Sequence, residues 1–140
     1  MRSSRILSVV FIGVLLVGAL YFRPLALDLP SDSPDQIHVM LTDLGMRDGM
    51  PYIDTADHTL VAAQTQQIND LLQNLKFSRR LSFTPLERAD HFAWVFLYKR
   101  DALTLSLGIS STGELPVDDQ CYRLQNAGEI LGQIEAIYAK

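Results

Sequence analysis

Cys121 is the only cysteine among 140 residues, which excludes an intrachain disulfide. Small domains exported from the cytoplasm often depend on such staples, so this chain must be held by its core. The thiol reads as a small buried apolar side chain, with pairing between chains as the alternative. Histidine is also scarce. His38, His58 and His91 show no HExxH or other close metal-ligand spacing. Asp57-His58 and Asp90-His91 are adjacent pairs, and strand neighbours point to opposite faces, so neither pair chelates by itself. Zinc held by His58, His91 and a carboxylate would need convergence in space, and the pattern implies no metal and no cofactor. There is no Gly-x-Ser-x-Gly elbow and no glycine-rich phosphate loop. Gly45 and Gly49 sit in an expected loop, Gly45–Pro51, with no helical stripe behind them. Ser110-Ser111-Thr112 beside Gly113 is turn chemistry.

An excess of positive charge is missing too. From Ser31 onward, nine Lys and Arg stand against fifteen Asp and Glu, a net charge of −6. An acidic domain is a poor partner for nucleic acid or anionic lipid. The basic residues that exist gather mid-chain, at Lys76, Arg79, Arg80, Arg88, Lys99 and Arg100. That distribution reads as solvated faces of opposite sign, or as polarity for docking a partner.

The strongest feature present is the N-terminal run. Arg2 and Arg5 precede uncharged Ile6–Phe22, and Arg23 closes it. As a helix the run spans roughly 25 Å, against about 30 Å for a bilayer's hydrocarbon core. A secretory signal and a membrane anchor both fit. Val17-Gly18-Ala19 offers a small-residue cleavage pattern, whereas Tyr21-Phe22-Arg23 resembles an interfacial edge and favours retention. The anchor reading gives residues 1–23 as a signal-anchor or transmembrane segment, 24–35 as an extended stalk and 36–140 as an extracytoplasmic domain. The location implied is the cell membrane, single-pass, with the N-terminus cytoplasmic. The stalk carries three prolines, three aspartates and two serines and reads as mobile.

Within 36–140 the periods change from two to 3.6. Ile37, Val39 and Leu41 alternate with His38, Met40 and Thr42, as in a strand with one face inward. Tyr52-Ile53 and His58–Val61 read as further short strands. Ile68, Leu71, Leu72 and Leu75 form one helical stripe, with Thr65 as its N-cap. Leu81 and Phe83 suggest a strand broken at Thr84-Pro85. Phe92–Tyr98 and Leu103–Ile109 predict a hairpin in which Phe92, Trp94, Phe96 and Tyr98 share a face with the leucines. Pairing Tyr98 with Leu103 requires an even loop, and four residues, Lys99–Ala102, are expected because Arg100-Asp101 suits a two-residue turn badly. A strand Gln120–Leu124 precedes a second amphipathic helix carrying Ile130, Leu131, Ile134, Ile137 and Tyr138, opened by Asn126 and Glu129 as a capping box. The fold class expected is α+β: an N-terminal membrane helix, then one antiparallel sheet with two amphipathic helices packed on one face.

Three functional readings follow. If the helices cover the aromatic face, Ala93, Val95 and Leu97 form an exposed apolar strip, a partner or self-association surface. Arg79 and Arg80, near Phe77 and Phe83, add a basic–aromatic patch or merely protect an edge strand. The domain is then a membrane-tethered binding or protein-interaction module. The second reading is a small cell-envelope hydrolase built on Asp54, Asp57, His58 and His91, and the third a structural or inhibitory domain of an exported partner. Ile53-Asp54-Thr55-Ala56 resembles the Asp-Thr/Ser-Gly loop of aspartic proteases, but Ala56 replaces the glycine and the helices oppose an all-β fold. The strand–helix–strands–helix layout, with Tyr122-Arg123-Leu124 before the last helix, resembles small bacterial membrane-anchored or lipoprotein extracytoplasmic α+β domains of unknown function. That resemblance implies no activity.

Overall fold

The computed structural model describes residues 2–30, 32–80 and 88–139. The expected strand residues Leu81 and Phe83 and the Thr84-Pro85 break lie outside them. Helix α1 is Arg2–Tyr21 and strand β1 is Leu25–Ala26. Then come β2 (Gln36–Arg47), β3 (Met50–Thr59), α2 (Ala62–Gln73) and β4 (Lys76–Arg79). The second half comprises β5 (His91–Lys99), β6 (Ala102–Ser110), β7 (Glu114–Val117), β8 (Gln120–Leu124) and α3 (Ala127–Tyr138). Among the described residues all strands join one eight-stranded sheet in the order β1-β4-β8-β7-β6-β5-β2-β3, with every pairing antiparallel. The domain is α+β.

The N-terminal membrane helix is overturned. Among the described residues no helix is long and apolar enough to cross a membrane. Helical geometry ends at Tyr21, so the uncharged part of α1 from Ile6 covers roughly 24 Å, short of the hydrocarbon core of about 30 Å. Its apolar residues, Leu7 to Leu20, are nonetheless exposed on all sides.

The hairpin β5–β6 decides which sheet face becomes the core. Its turn is Arg100-Asp101, two residues rather than four, both left-handed at φ 49° and 61°. Asp35 stabilises this tight turn, accepting the Arg100 backbone N–H at 3.0 Å and meeting Lys99 Nζ at 3.0 Å. The Arg100 N–H and the Lys99 ammonium hold the Asp35 carboxyl below its ordinary pKa. Tyr98 does pair with Leu103, as expected, but the register then slips. Leu97 opposes Leu105 instead of Thr104, so Thr104 is the extra residue of a β-bulge, and its hydroxyl donates to the Leu97 carbonyl at 3.0 Å. A one-residue slip exchanges the faces of everything beyond it.

The consequence reverses an expectation. Ala93, Val95 and Leu97 are fully buried, beside Leu105, Leu107 and Ile109. They are the core, not a partner surface. Phe92, Trp94, Phe96 and Tyr98 stand on the other face, half-buried, and Trp94 and Phe96 stack at 6.5 Å. Trp94 opposes Gly108, where an added Cβ would lie 3.0 Å from the indole and 2.9 Å from Pro116 Cγ. Glycine there lets the indole lean over β6.

Both amphipathic helices cover the core face. α2 contributes Ile68 and Leu72, α3 contributes Leu131 and Ile134, and β2 contributes Ile37 and Val39. Burying each such side chain supplies about 1.5–3 kcal/mol. The caps differ from the expected ones. α2 begins at Ala62, where the Val61 N–H donates to Gln64 Oε1 at 3.1 Å, and Gln64 Nε2 donates to the Ile137 carbonyl at 2.9 Å. The buried Gln64 thus ties the start of one helix to the end of the other. Asn126 is left-handed at φ 59° and makes no side-chain cap.

Two further expectations change. The loop Gly45–Pro51 is instead part of a long hairpin, with Arg47 paired to Met50 across the turn Asp48-Gly49 at φ 53° and 78°. The expected stalk is tied down where it is described. Leu25 pairs with Phe77, Leu25, Leu27 and Leu29 pack on the core, and the Asp35 N–H donates to the Tyr98 carbonyl.

The face assignment gives a direct prediction. Val95→Asp buries an uncompensated carboxylate and should abolish cooperative unfolding, a loss of more than about 4 kcal/mol. Phe96→Asp, one residue along, should remain folded, with denaturant melts followed by circular dichroism reading the difference.

Candidate functional site

The described chemistry gathers at one end of the core face. Asp54 on β3 pairs with Asp43 on β2, and Asp43 pairs with His91 at the start of β5. These three share one row across the sheet. Nδ1 of His91 contacts Asp43, and Nε2 lies 2.6 Å from Glu135 Oε1 on α3. That second contact is an ion pair without aligned hydrogen-bond geometry. Burial opposes a charge on the imidazole. The hydrogen bond and charge of Asp43, joined by Glu135, outweigh it and raise the His91 pKa above its ordinary 6.5. Asp90 beside it accepts from Ser111 Oγ at 3.2 Å.

The four hydrolase candidates do not converge. Asp54 and His91 lie in the row just described. His58 stands further along β3, its ring edge-on to Tyr138 at 5.3 Å. Asp57 points to the opposite face, where it pairs with His38. A general base needs a free ring nitrogen within reach of its substrate, and both nitrogens of His91 face carboxylates. Among the described residues no group of three or more His, Cys, Asp or Glu could hold a metal ion. The cluster is built as a latch, holding α3 to the sheet through β2 and β5.

Arg79 and Arg80 lie far from the hairpin core. β4 is four strand positions from β5, on the order of 19 Å at about 4.8 Å per strand. The Arg79 guanidinium lies 5.2 Å from the centre of the Tyr21 ring, and Arg80 approaches Glu114 at 3.9 Å. With Gln120, Cys121 and Tyr122 they line a shallow depression at the end of α1. Cys121 is exposed there, against the buried position expected. Partial burial and the Glu114 carboxylate push its pKa up, so the thiol form prevails at neutral pH.

Sequence reasoning missed the aromatic platform as a surface and β3 as a long edge strand. Asp48-Gly49, a favoured two-residue hairpin turn, carried the signal for β3. Nothing so direct marked the bulge at Thr104. Comparison with known protein families, curated proteins and solved structures finds no match for this chain.

His91 sets a pH dependence. Its folded pKa exceeds the unfolded one, so its stabilisation is complete below about 6.5 and fades as pH rises through the folded value. The melting temperature should fall by a few degrees across that rise, and His91→Gln should flatten this component. A slope unchanged in the variant would assign the dependence elsewhere.

Proposed function

We propose that the chain is a membrane-associated interaction module, held against lipid by α1 and presenting the uncovered sheet face to a protein partner. The observation that carries this reading is the exposure of α1. Leu7, Val10, Phe11, Val14, Leu15 and Val17 stay open to solvent while the domain completes a core without them. Apolar side chains left open in that number favour contact with another apolar surface, and a lipid surface is the one proposed. Tyr21, Phe22 and Arg23 at its end suit the lipid–water boundary. The association proposed is contact with lipid, not a crossing, and the domain would act outside the cytoplasm.

The docking face follows from the same division of labour. With both helices on one side, Phe92, Trp94, Phe96 and Tyr98 form a half-buried aromatic row on the other. Stacked aromatics supply contact area at little entropic cost, which suits a protein partner with an apolar patch. No catalytic reading gains comparable support, because the only described histidine cluster is closed on itself.

Membrane fractionation and flotation with lipid vesicles test the tether. The full chain should float, and Leu15→Asp/Val17→Asp should leave it in the soluble fraction. The partner face has a built-in reporter, since Trp94 is the only tryptophan. Cross-linking in native membranes should capture a protein that Trp94→Ser/Phe96→Ser no longer captures, with folding intact. Equal capture by both would remove the aromatic row from the proposal.

A further inference from the structure

Among the described residues the strand β3 ends the sheet and leaves one edge without a neighbouring strand. β3 runs for ten residues without a break in register, from Met50 opposite Arg47 to Thr59 opposite His38. Nine of those ten residues are exposed. Proteins usually blunt such an edge with lysine, a bulge or a covering segment. β3 carries no Lys or Arg, no bulge, and one proline, Pro51, near the turn.

The phase of the edge is fixed by one hydrogen bond. The Leu60 N–H donates to the Ile37 carbonyl at 2.9 Å. In an antiparallel ladder hydrogen-bonded pairs alternate, so His58, Ala56 and Asp54 direct their backbone groups toward β2. Ile53, Thr55, Asp57 and Thr59 therefore direct N–H and C=O outward. A second antiparallel strand can pair only with those four.

We propose that two copies of this chain associate through β3, antiparallel about a two-fold axis at Ala56. In that register Thr55 opposes the partner's Asp57, and Ile53 opposes the partner's Thr59. Ala56 faces its own copy, and Asp54 faces the partner's His58, twice by symmetry. A shift by one residue sets outward groups against inward ones and makes no ladder. A shift of two one way places Asp57 against its own copy, two like charges directly opposed. The shift the other way leaves Asp54 opposite alanine. The selected register is thus the one that sets each Asp54 opposite an imidazole and leaves no two aspartates directly opposed, Asp57 and its copy being only diagonal neighbours.

Two otherwise unexplained exposures fit the same pairing. Ile53 is 75% exposed and Val61 is 63% exposed. Val61 keeps an extended backbone, φ −73° and ψ 163°, before α2 begins. Across the two-fold axis Ile53 and the partner's Val61 become diagonal neighbours on one face, within reach of each other. The joined sheets would run continuously through both copies, and the aromatic rows would lie on the same side of the doubled sheet. Strand pairing alone is a small interface, so the dimer is expected at roughly micromolar strength, within range of solution methods.

Site-specific cross-linking decides the register. The full chain is prepared in mild detergent with Cys121→Ser, adding either Ala56→Cys or Thr55→Cys. Facing residues of a non-hydrogen-bonded pair lie about 4.5 Å apart at Cα, within the span of a disulfide. Position 55 and its copy are diagonal, about 7–8 Å apart, beyond easy bridging. Mild oxidation should convert most of the Ala56→Cys protein to a dimer and leave the Thr55→Cys protein mainly monomeric. Equal or reversed yields would overturn the register, and no dimer from Ala56→Cys would overturn the association. Thr55→Pro supplies an independent check, because it removes an outward N–H without touching the β2 ladder. Sedimentation should show at least a tenfold weaker dimer at an unchanged melting temperature. Retained dimerisation in that variant would also count against β3, and if the variant fails to fold, the cysteine pair alone decides.

Discussion

One extra residue in the hairpin β5–β6 sets the character of the whole molecule. The turn Arg100-Asp101 pairs Tyr98 with Leu103, and the bulge at Thr104 then shifts the ladder by one. Every residue beyond it changes face. Small side chains, Ala93, Val95 and Leu97, meet Leu105, Leu107 and Ile109 under the helices. That exchange has a packing reason. Helices approach a sheet closely over alanine, valine and leucine, whereas a row of four aromatics would hold them away. The bulky rings are left to the uncovered face, where Gly108 gives the indole room.

The rest of the scaffold serves this arrangement by tying elements together with polar contacts at its margins. Asp35 grips the hairpin turn from the N-terminal strap. Gln64 bridges the two helices, and His91 connects α3 with two strands. Each of these joins segments far apart in sequence, which is what a disulfide would otherwise do. A chain with one cysteine can therefore close a domain of this size by distributing the task among an aspartate, a glutamine and a histidine. The His91 contact differs from the others in depending on protonation, so α3 is the element whose attachment responds to pH.

The functional reading changed with the fold. The uncovered sheet face belongs to Phe92, Trp94, Phe96 and Tyr98 rather than to Ala93, Val95 and Leu97, and the proposed partner surface moves with it. Periodicity correctly divided the strand into two faces and could not say which one the helices would choose. Both faces were apolar enough to be core, and the parity of a hairpin is only as good as the assumption of no bulge. The hydrolase candidates suffered a similar fate. Asp57 and His58 are adjacent in sequence and fall on opposite faces, while Asp54 and His91, far apart in sequence, come into one row through Asp43.

The chain's sequence was sufficient for local structure: the apolar run at the N-terminus, the stripes of α2 and α3, and the alternation in β2, β5 and β6. It was sufficient because those patterns depend only on the period of side chains along a helix or strand. The tertiary structure alone decided the register after Thr104, the docking of Leu25, Leu27 and Leu29, the merging of Gly45–Pro51 into a hairpin and the convergence on His91. Each of these is a choice between pairings with similar local energies. Such choices are settled by which arrangement buries the most surface at once, and that quantity exists only when the whole domain is assembled.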